Sequence, residues 1–365
     1  MALLVPTAAM IVVLSLQNGL SGLVKDVYSK FDSELRVVPL EGQYFEPDSL
    51  KIERIREFAE VSGVLQSNVL LEWNGYSAGA VLRGVDSNFV KVSQMPTTVA
   101  RGEWKTLHGQ RARAVLGSSL SYNLALTLGS AGIMEVTAIV PVPKMISSVP
   151  IVSRDLLMPA GVFRVDAVID SKYLFTDIGY VRDLLSRPRS LSSLEIKPNI
   201  PLKEATAKIE EILGDDSLMV ESATDQRKEL YAAFELEKYV IFMILCFIAL
   251  IAAMALSGCA LLMSAEKAQN AKVLRSLGMS SNGVRRIFMS LAGRIVAIGV
   301  GCGTILGIGF VVLQQNFKIL AISGETSIVD SYPVILTLGD TLLSVGIMLG
   351  VGAVVIYLTL GRQKF

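Results

Sequence analysis

The chain has 365 residues, 52% of them hydrophobic and 18% charged, with a mean hydropathy of +0.52 and a formal net charge of +1. That is too apolar for an ordinary soluble domain, and the neutral balance offers no footprint for nucleic acid. No GxxxxGK[ST] loop, HExxH, GxSxG or Cys/His cluster occurs, so the sequence predicts no ATP site, no metal, no cofactor and no enzyme.

Four stretches lack charge over a membrane-crossing length: Met1–Val24, Tyr239–Ala265, Ile295–Phe317 and Thr341–Gly361. The first has no basic residue before it and no small-residue cleavage site, so it is read as a retained helix and not a signal peptide, which leaves open whether a cytoplasmic lead-in precedes Met1. Gln17 and Asn18 lie in its outer part, facing a cavity or sitting at the interface. Residues 25–238 then form a polar region long enough for one or two domains.

Within that region, Leu35–Leu40, Gly63–Glu72, Gly79–Val85, Ala112–Gly117, Ile133–Val142 and Phe163–Ile169 are β-branched or alternating runs that predict strands. Ser118–Leu128 suits a short helix, and the lone histidine, His108, falls in a turn-like KTLHGQ. Leu194–Lys197 and Leu218–Glu221 read as strands flanking a helix over Lys203–Leu213, for which Gly214 is a C-cap. An α+β lobe around Val162–Ser222 and a second over Lys25–Val149 are expected. From Asp225, a plausible cap, a helical pattern runs without Pro or Gly to Gly258, so span two (239–265) is expected to continue outward as a stalk.

Residues 266–286 are basic: Lys267, Lys272, Arg275, Arg285 and Arg286 stand against the single acid Glu266. Span three is drawn over 287–317, an acidic loop over 318–340, span four over 341–361 and a tail over 362–365 carrying Arg362 and Lys364. Basic residues stay in the cytoplasm, so 266–286 and the tail are placed inside, and 25–238 and 318–340 outside. Arg294 is close enough to the inner end of span three to snorkel. Gly299, Gly303 and Gly307 recur every four residues, a pattern of close helix contact within the chain or across a dimer seam. Cys246, Cys259 and Cys302 all lie in spans, so none staples the external region. The expected fold is thus a four-span α-helical membrane protein with a large α+β domain inserted between helices 1 and 2.

This layout resembles the FtsX-like, MacB-type permeases of ABC transporters. VVLSLQNGL (Val12–Leu20), LYAAFELEKYVIFMILCFIALIAAMALSG (Leu230–Gly258), EKAQNAKVLRSLGMSSNGVRRIFM (Glu266–Met289), FRVDAVIDSKYLFTDIGYVRDLLS (Phe163–Ser186) and YPVILTLGD (Tyr332–Asp340) are most similar to the lipoprotein-releasing permeases of the LolC/LolE group. The tail GRQKF is shorter than that group's usual ending, and neither branch is matched closely, which leaves a homodimer of one permease type open. The resemblance implies a bacterial inner-membrane location, a cytoplasmic ABC ATPase dimer, a second permease subunit, a lipoprotein substrate and a periplasmic lipoprotein carrier, with membrane lipids around the spans.

It also implies site residues. Glu266, Lys267, Ala271, Leu274, Arg275, Leu277 and Gly278 would form a coupling helix against the ATPase, with Ala271, Leu274 and Leu277 as its apolar face, unless those leucines dip into lipid instead. Gln17, Asn18, Phe242 and Met243 would line an acyl-chain cleft between spans one and two. A MacB-type efflux permease and an FtsX-type regulator of a periplasmic cell-wall hydrolase are the alternatives. The first usually carries a fused ATPase, and the second a much smaller external domain.

Overall fold

The computed structural model describes residues 3–108, 111–126, 135–146, 149–214, 217–320 and 331–360. The elements in chain order are α1 (Leu4–Phe31), β1 (Leu35–Pro39), α2 (Ser49–Arg56), β2 (Ala59–Trp73), β3 (Tyr76–Val85), α3 (Phe89–Val92), β4 (Val99–Gly102), β5 (Leu107–His108), β6 (Arg111–Gly117), α4 (Ser118–Asn123), β7 (Val136–Ile146) and β8 (Val149–Phe163). They continue with α5 (Ala167–Lys172), β9 (Tyr173–Asp177), α6 (Ile178–Leu185), β10 (Ser193–Pro198), α7 (Leu202–Leu213), β11 (Leu218–Ser222), α8 (Lys228–Glu266), α9 (Ala268–Ser276), α10 (Ser281–Phe317) and α11 (Leu338–Leu360). Two compact units result: Lys25–Lys228, and Met1–Val24 together with Glu229–Phe365.

Lys25–Lys228 is built on one sheet, in the order β11-β1-β10-β2-β3-β9-β6-β8-β4, with β7 pairing β2 and β8, and β5 pairing β6. Most pairs are antiparallel; β3 with β9 and β6 with β8 are parallel. The β2–β3 hairpin closes on Asn74-Gly75, at φ 46° and 84°, the two positive dihedrals a tight hairpin turn requires. Adjacent residues bury on opposite faces. Leu65, Leu116 and Leu174 join one core, while Val64, Val115 and Phe175 join the other. Burial on both faces explains why these strands read as almost continuous apolar runs. The second core is aromatic, with Phe175 lying 5.2–6.2 Å from the rings of Trp104, Phe163, Phe89 and Phe31.

Four expectations for this unit change. The two expected lobes share the one sheet, because β10 inserts between β1 and β2; local pattern marks a strand but not its partner. Phe163–Ile169 is not a strand. Only Phe163 ends β8, and Asp166 accepts a hydrogen bond from the Val168 N–H to start α5, a cap that overrides the β-branched composition. Asp225 does not cap α8, since its carboxylate turns back to accept from the Ser222 N–H and hydroxyl. His108, read as part of a turn, ends β5 opposite Arg111. Gly214 does adopt the left-handed C-cap, at φ 51°.

Among the described residues, four helices are long and apolar enough to cross a membrane: Leu4–Phe31, Asp225–Glu266, Ser281–Phe317 and Leu338–Thr359. At 1.5 Å per residue, α8 with its 39 residues is about 58 Å long, nearly twice a hydrocarbon core of about 30 Å. Helix α10 begins at Ser281, so Arg285 and Arg286 lie on its first turns and not in a loop. The glycine repeat is an intrachain seam. A Cβ at Gly303 would stand 2.5 Å from the Leu4 carbonyl oxygen, and one at Gly307 3.1 Å from Ile11 Cβ, so α10 packs directly on α1. Residues 321–330 of the acidic loop and 361–365 of the tail lie outside the described residues. The three cysteines are free.

Candidate functional site

Two places in the helical unit carry features beyond packing. The first is the turn from α8 to α10. Helix α8 ends at Glu266, Lys267 occupies the N-cap position of α9, and α9 closes at Leu277. Gly278 then takes φ 92°, its N–H bonds to Arg275 O, and the Met279 N–H bonds to Leu274 O. That pair of bonds is a Schellman closure, which needs a residue free to go left-handed. Ser280 Oγ then accepts from the Gly283 N–H and caps α10. Gly278 is therefore a turn residue.

The expected apolar face of α9 is divided. Ala271 is buried and Leu274 half-buried, both against the cluster that holds Val284 and Phe288 of α10. Leu277 stands 80% exposed and Val273 58%. An i, i+4 pair of bare apolar side chains, Val273 and Leu277, thus replaces the expected trio, with exposed Lys267, Lys272 and Arg275 around it. Local spacing identifies residues on one helix face but not which face its own bundle occupies.

The second place is a cavity of about 420 Å³ among α1, α8 and α11, lined by Leu14, Glu235, Lys238, Tyr239, Phe242, Asp340 and Leu343. On α8, Glu235, Lys238, Tyr239 and Phe242 follow helical spacing and share a face, charged first and aromatic after. On α11, Asp340 precedes Leu343 by about one turn. On α1, Leu14 lies one turn before Asn18, which reaches Asp340. The Asn18 amide donates to Asp340 Oδ2 at 2.6 Å, Thr337 Oγ1 donates to the same oxygen at 2.7 Å, and Lys238 Nζ is 4.0 Å from Oδ1. All three helices therefore place polar groups at one end of the cavity and apolar ones at the other. Such a space suits an amphiphile.

Of the four cleft residues expected, Phe242 lines the cavity and Asn18 ties its polar end together. Gln17 is buried, with its Nε2 lacking a hydrogen-bond partner among the described residues, and it is not part of the lining. Met243 is 66% exposed and also stands apart. Sequence inspection missed Glu235, Lys238 and Asp340. The helical spacing of the first two with Phe242 was a readable signal; Asp340 looked like one more acid of a loop. Among the described residues no group of three or more His, Cys, Asp or Glu is placed to hold a metal.

The helical unit thus carries a basic turn at α9 and an amphipathic cavity among α1, α8 and α11. Residues 242–363 match the family described as FtsX-like permease C-terminal. Along most of its length the chain is similar to the lipoprotein-releasing system transmembrane protein LolC of Neisseria meningitidis serogroup B, 28% identical over 95% of this chain and 86% of the relative. The corresponding protein of Buchnera aphidicola is 22% identical over 83% of this chain and 75% of its own length. Among solved structures, the periplasmic region of MacB from Actinobacillus actinomycetemcomitans aligns with 57% of this chain and 98% of its own at 11% identity and a TM-score of 0.38. The extracellular domain of the noncanonical ABC-type transporter YknZ aligns with 52% and 99% at 13% identity and a TM-score of 0.35. The resemblance to FtsX-like permeases of the LolC type thus stands, and the family match with the similarity to the two LolC proteins supports an ABC transporter permease.

Proposed function

We propose that this chain is the membrane subunit of an inner-membrane ABC transporter that lifts acylated proteins from the outer leaflet and passes them to a periplasmic carrier. The observation that carries the reading is the polar-to-apolar gradient of the cavity among α1, α8 and α11. Acyl chains would lie against Leu14, Phe242 and Leu343, with the head of the cargo at Lys238, Glu235 and Asp340. Drawing an acyl chain out of a bilayer costs about 0.8 kcal/mol per CH₂, so an external motor is required. A cytoplasmic ATPase pair would supply it, gripping α9 through Val273 and Leu277 beside Lys267, Lys272 and Arg275. A second permease subunit would complete the assembly, and Lys25–Lys228 would face the periplasm and meet the carrier. The similarity to the LolC proteins supports this cargo over small-molecule efflux.

The test is reconstitution of the permease with its ATPase in vesicles holding a triacylated protein, with a soluble carrier outside. ATP-dependent appearance of the protein on the carrier is expected. Leu343→Asp, which puts charge at the apolar end of the cavity, should lower release while basal ATP hydrolysis continues. Unchanged release in that variant, or no release by the wild type, rejects the reading.

A further inference from the structure

The chain enters and leaves the Lys25–Lys228 unit along paired strands. β1 and β11 run antiparallel from Leu35 opposite Ser222 to Pro39 opposite Leu218. The pairing continues past the strand ends toward the two long helices. The Ala223 N–H bonds to Glu34 O at 3.1 Å, and Gln226 Nε2 to Ser33 O at 3.0 Å. It finishes in a side-chain fork: Arg227 Nε donates to Asp32 Oδ2 at 2.5 Å and Nη2 to Oδ1 at 3.2 Å. The guanidinium lies 4.0 Å from the Tyr28 ring centroid and 5.6 Å from that of Phe31. The Asp32 side chain is only 7% exposed and that of Arg227 23%, so this is not a solvated surface pair. Behind it, the Phe31 ring also lies 4.9 Å from Arg83, and Arg83 pairs with Glu195 of β10 at 2.7 Å, both buried. Ser33 donates to the same Glu195. The fork is thus rooted in the middle of the sheet.

Helix α8 begins at Lys228, the residue after Arg227. Any pull or twist along α8 therefore loads the β1–β11 pair at its open end, where backbone bonds of an antiparallel pair give way one at a time. We propose that the Arg227–Asp32 fork is a clasp that keeps this pair closed under load and so delivers the movement of α8 to the sheet. Its use in transport rests on the permease reading above; its action on the β1–β11 pair does not. Arg227 and Asp32 are positioning residues in this scheme and touch no cargo.

The decisive variant is Asp32→Asn with Arg227→Met in the full chain. Removing both partners avoids a stranded buried charge, so folding is preserved. Trp73 and Trp104 are the only tryptophans and both lie in this unit, so their fluorescence reports its fold. Hydrogen exchange is expected to rise in Leu35–Pro39 and Leu218–Ser222, and unchanged exchange there overturns the clasp whatever the transport assay gives. In the reconstituted complex, ATP hydrolysis should continue while protein released per ATP falls about tenfold, a coupling loss of ordinary size. Wild-type release per ATP in the double variant overturns the coupling role. If the double variant loses its tryptophan signal, Arg227→Lys, which keeps the charge but not the fork, is the second measure. It should show intermediate exchange and release, and wild-type values for both also overturn the proposal. A wild type that releases nothing counts against the permease reading alone.

Discussion

Individual side chains in this protein are held where burial and chemistry conflict, and Asp170 is the clearest case. It is 2% exposed, accepts from Ser118 Oγ at 2.7 Å and from the Val165 N–H at 2.9 Å, and sits under Gly117, whose missing Cβ would meet its backbone. Burial pushes its carboxyl above the usual range, and the bonds from Ser118, Val165 and Asp166 pull it only part of the way back. A folded-state value raised above the unfolded one gives stability that is fully present below about pH 4 and is lost as pH rises through the folded value. Asp32 is displaced in the same direction, again chiefly by burial, with Arg227 opposing it. The thermal unfolding temperature of the wild type, followed by tryptophan fluorescence, should therefore fall relative to that of Asp170→Asn as pH rises above about 4. An identical pH dependence in the variant would remove Asp170 as a source of it.

Helices were the elements most legible from sequence, and their faces the least. The four long apolar helices and the Gly214 cap followed from local chemistry, because a charge-free run or a left-handed residue acts within a few residues of itself, whereas Gly278, expected on the coupling helix, is the turn that ends it. Which side of α9 meets its own bundle depends on Val284 and Phe288, which the α9 pattern does not contain. The same holds for the glycine repeat of α10, where only contact with α1 chooses between an intrachain seam and a dimer seam. Two variant pairs follow. Leu277→Asp, on the exposed face, should abolish co-purification of the ATPase and leave the bundle folded, whereas Leu274→Asp should destabilise the bundle itself. Co-purification at wild-type level with Leu277→Asp would move the docking surface elsewhere. In α10, Gly303→Leu meets the Leu4 backbone and should cost about 1–3 kcal/mol or more, while Gly301→Leu, with nothing within 4 Å, should be near neutral. Equal thermal stability of the two in detergent would contradict the α1–α10 seam.

At the level of the whole molecule, strands were found roughly in place, but their assembly was not legible. β10 separates β1 from β2 in the sheet although nearly 120 residues separate it from β2 in the chain, and no local pattern encodes that insertion. The cavity was only half visible for the same reason: Asn18, Phe242 and Asp340 come from helices far apart in sequence. The orientation proposed for the protein, by contrast, rests on composition. Lys267, Lys272, Arg275, Arg285 and Arg286 cluster between α8 and the first turns of α10 against the single acid Glu266. Translocating five cations across the hydrocarbon is far more costly than leaving them behind, whereas the large unit with its mixed charges crosses largely regardless of charge. With four spans, the proposed orientation puts the α9 segment in the cytoplasm and Lys25–Lys228 in the periplasm. The native cysteines, all on α8 or α10, are first removed. A single cysteine at exposed Ser276 should then resist an impermeant thiol reagent added outside intact spheroplasts and react once the cells are broken. One at exposed Tyr122 of α4 should react in both. Labelling of Ser276→Cys from outside would invert the topology and, with it, separate α9 from any cytoplasmic motor.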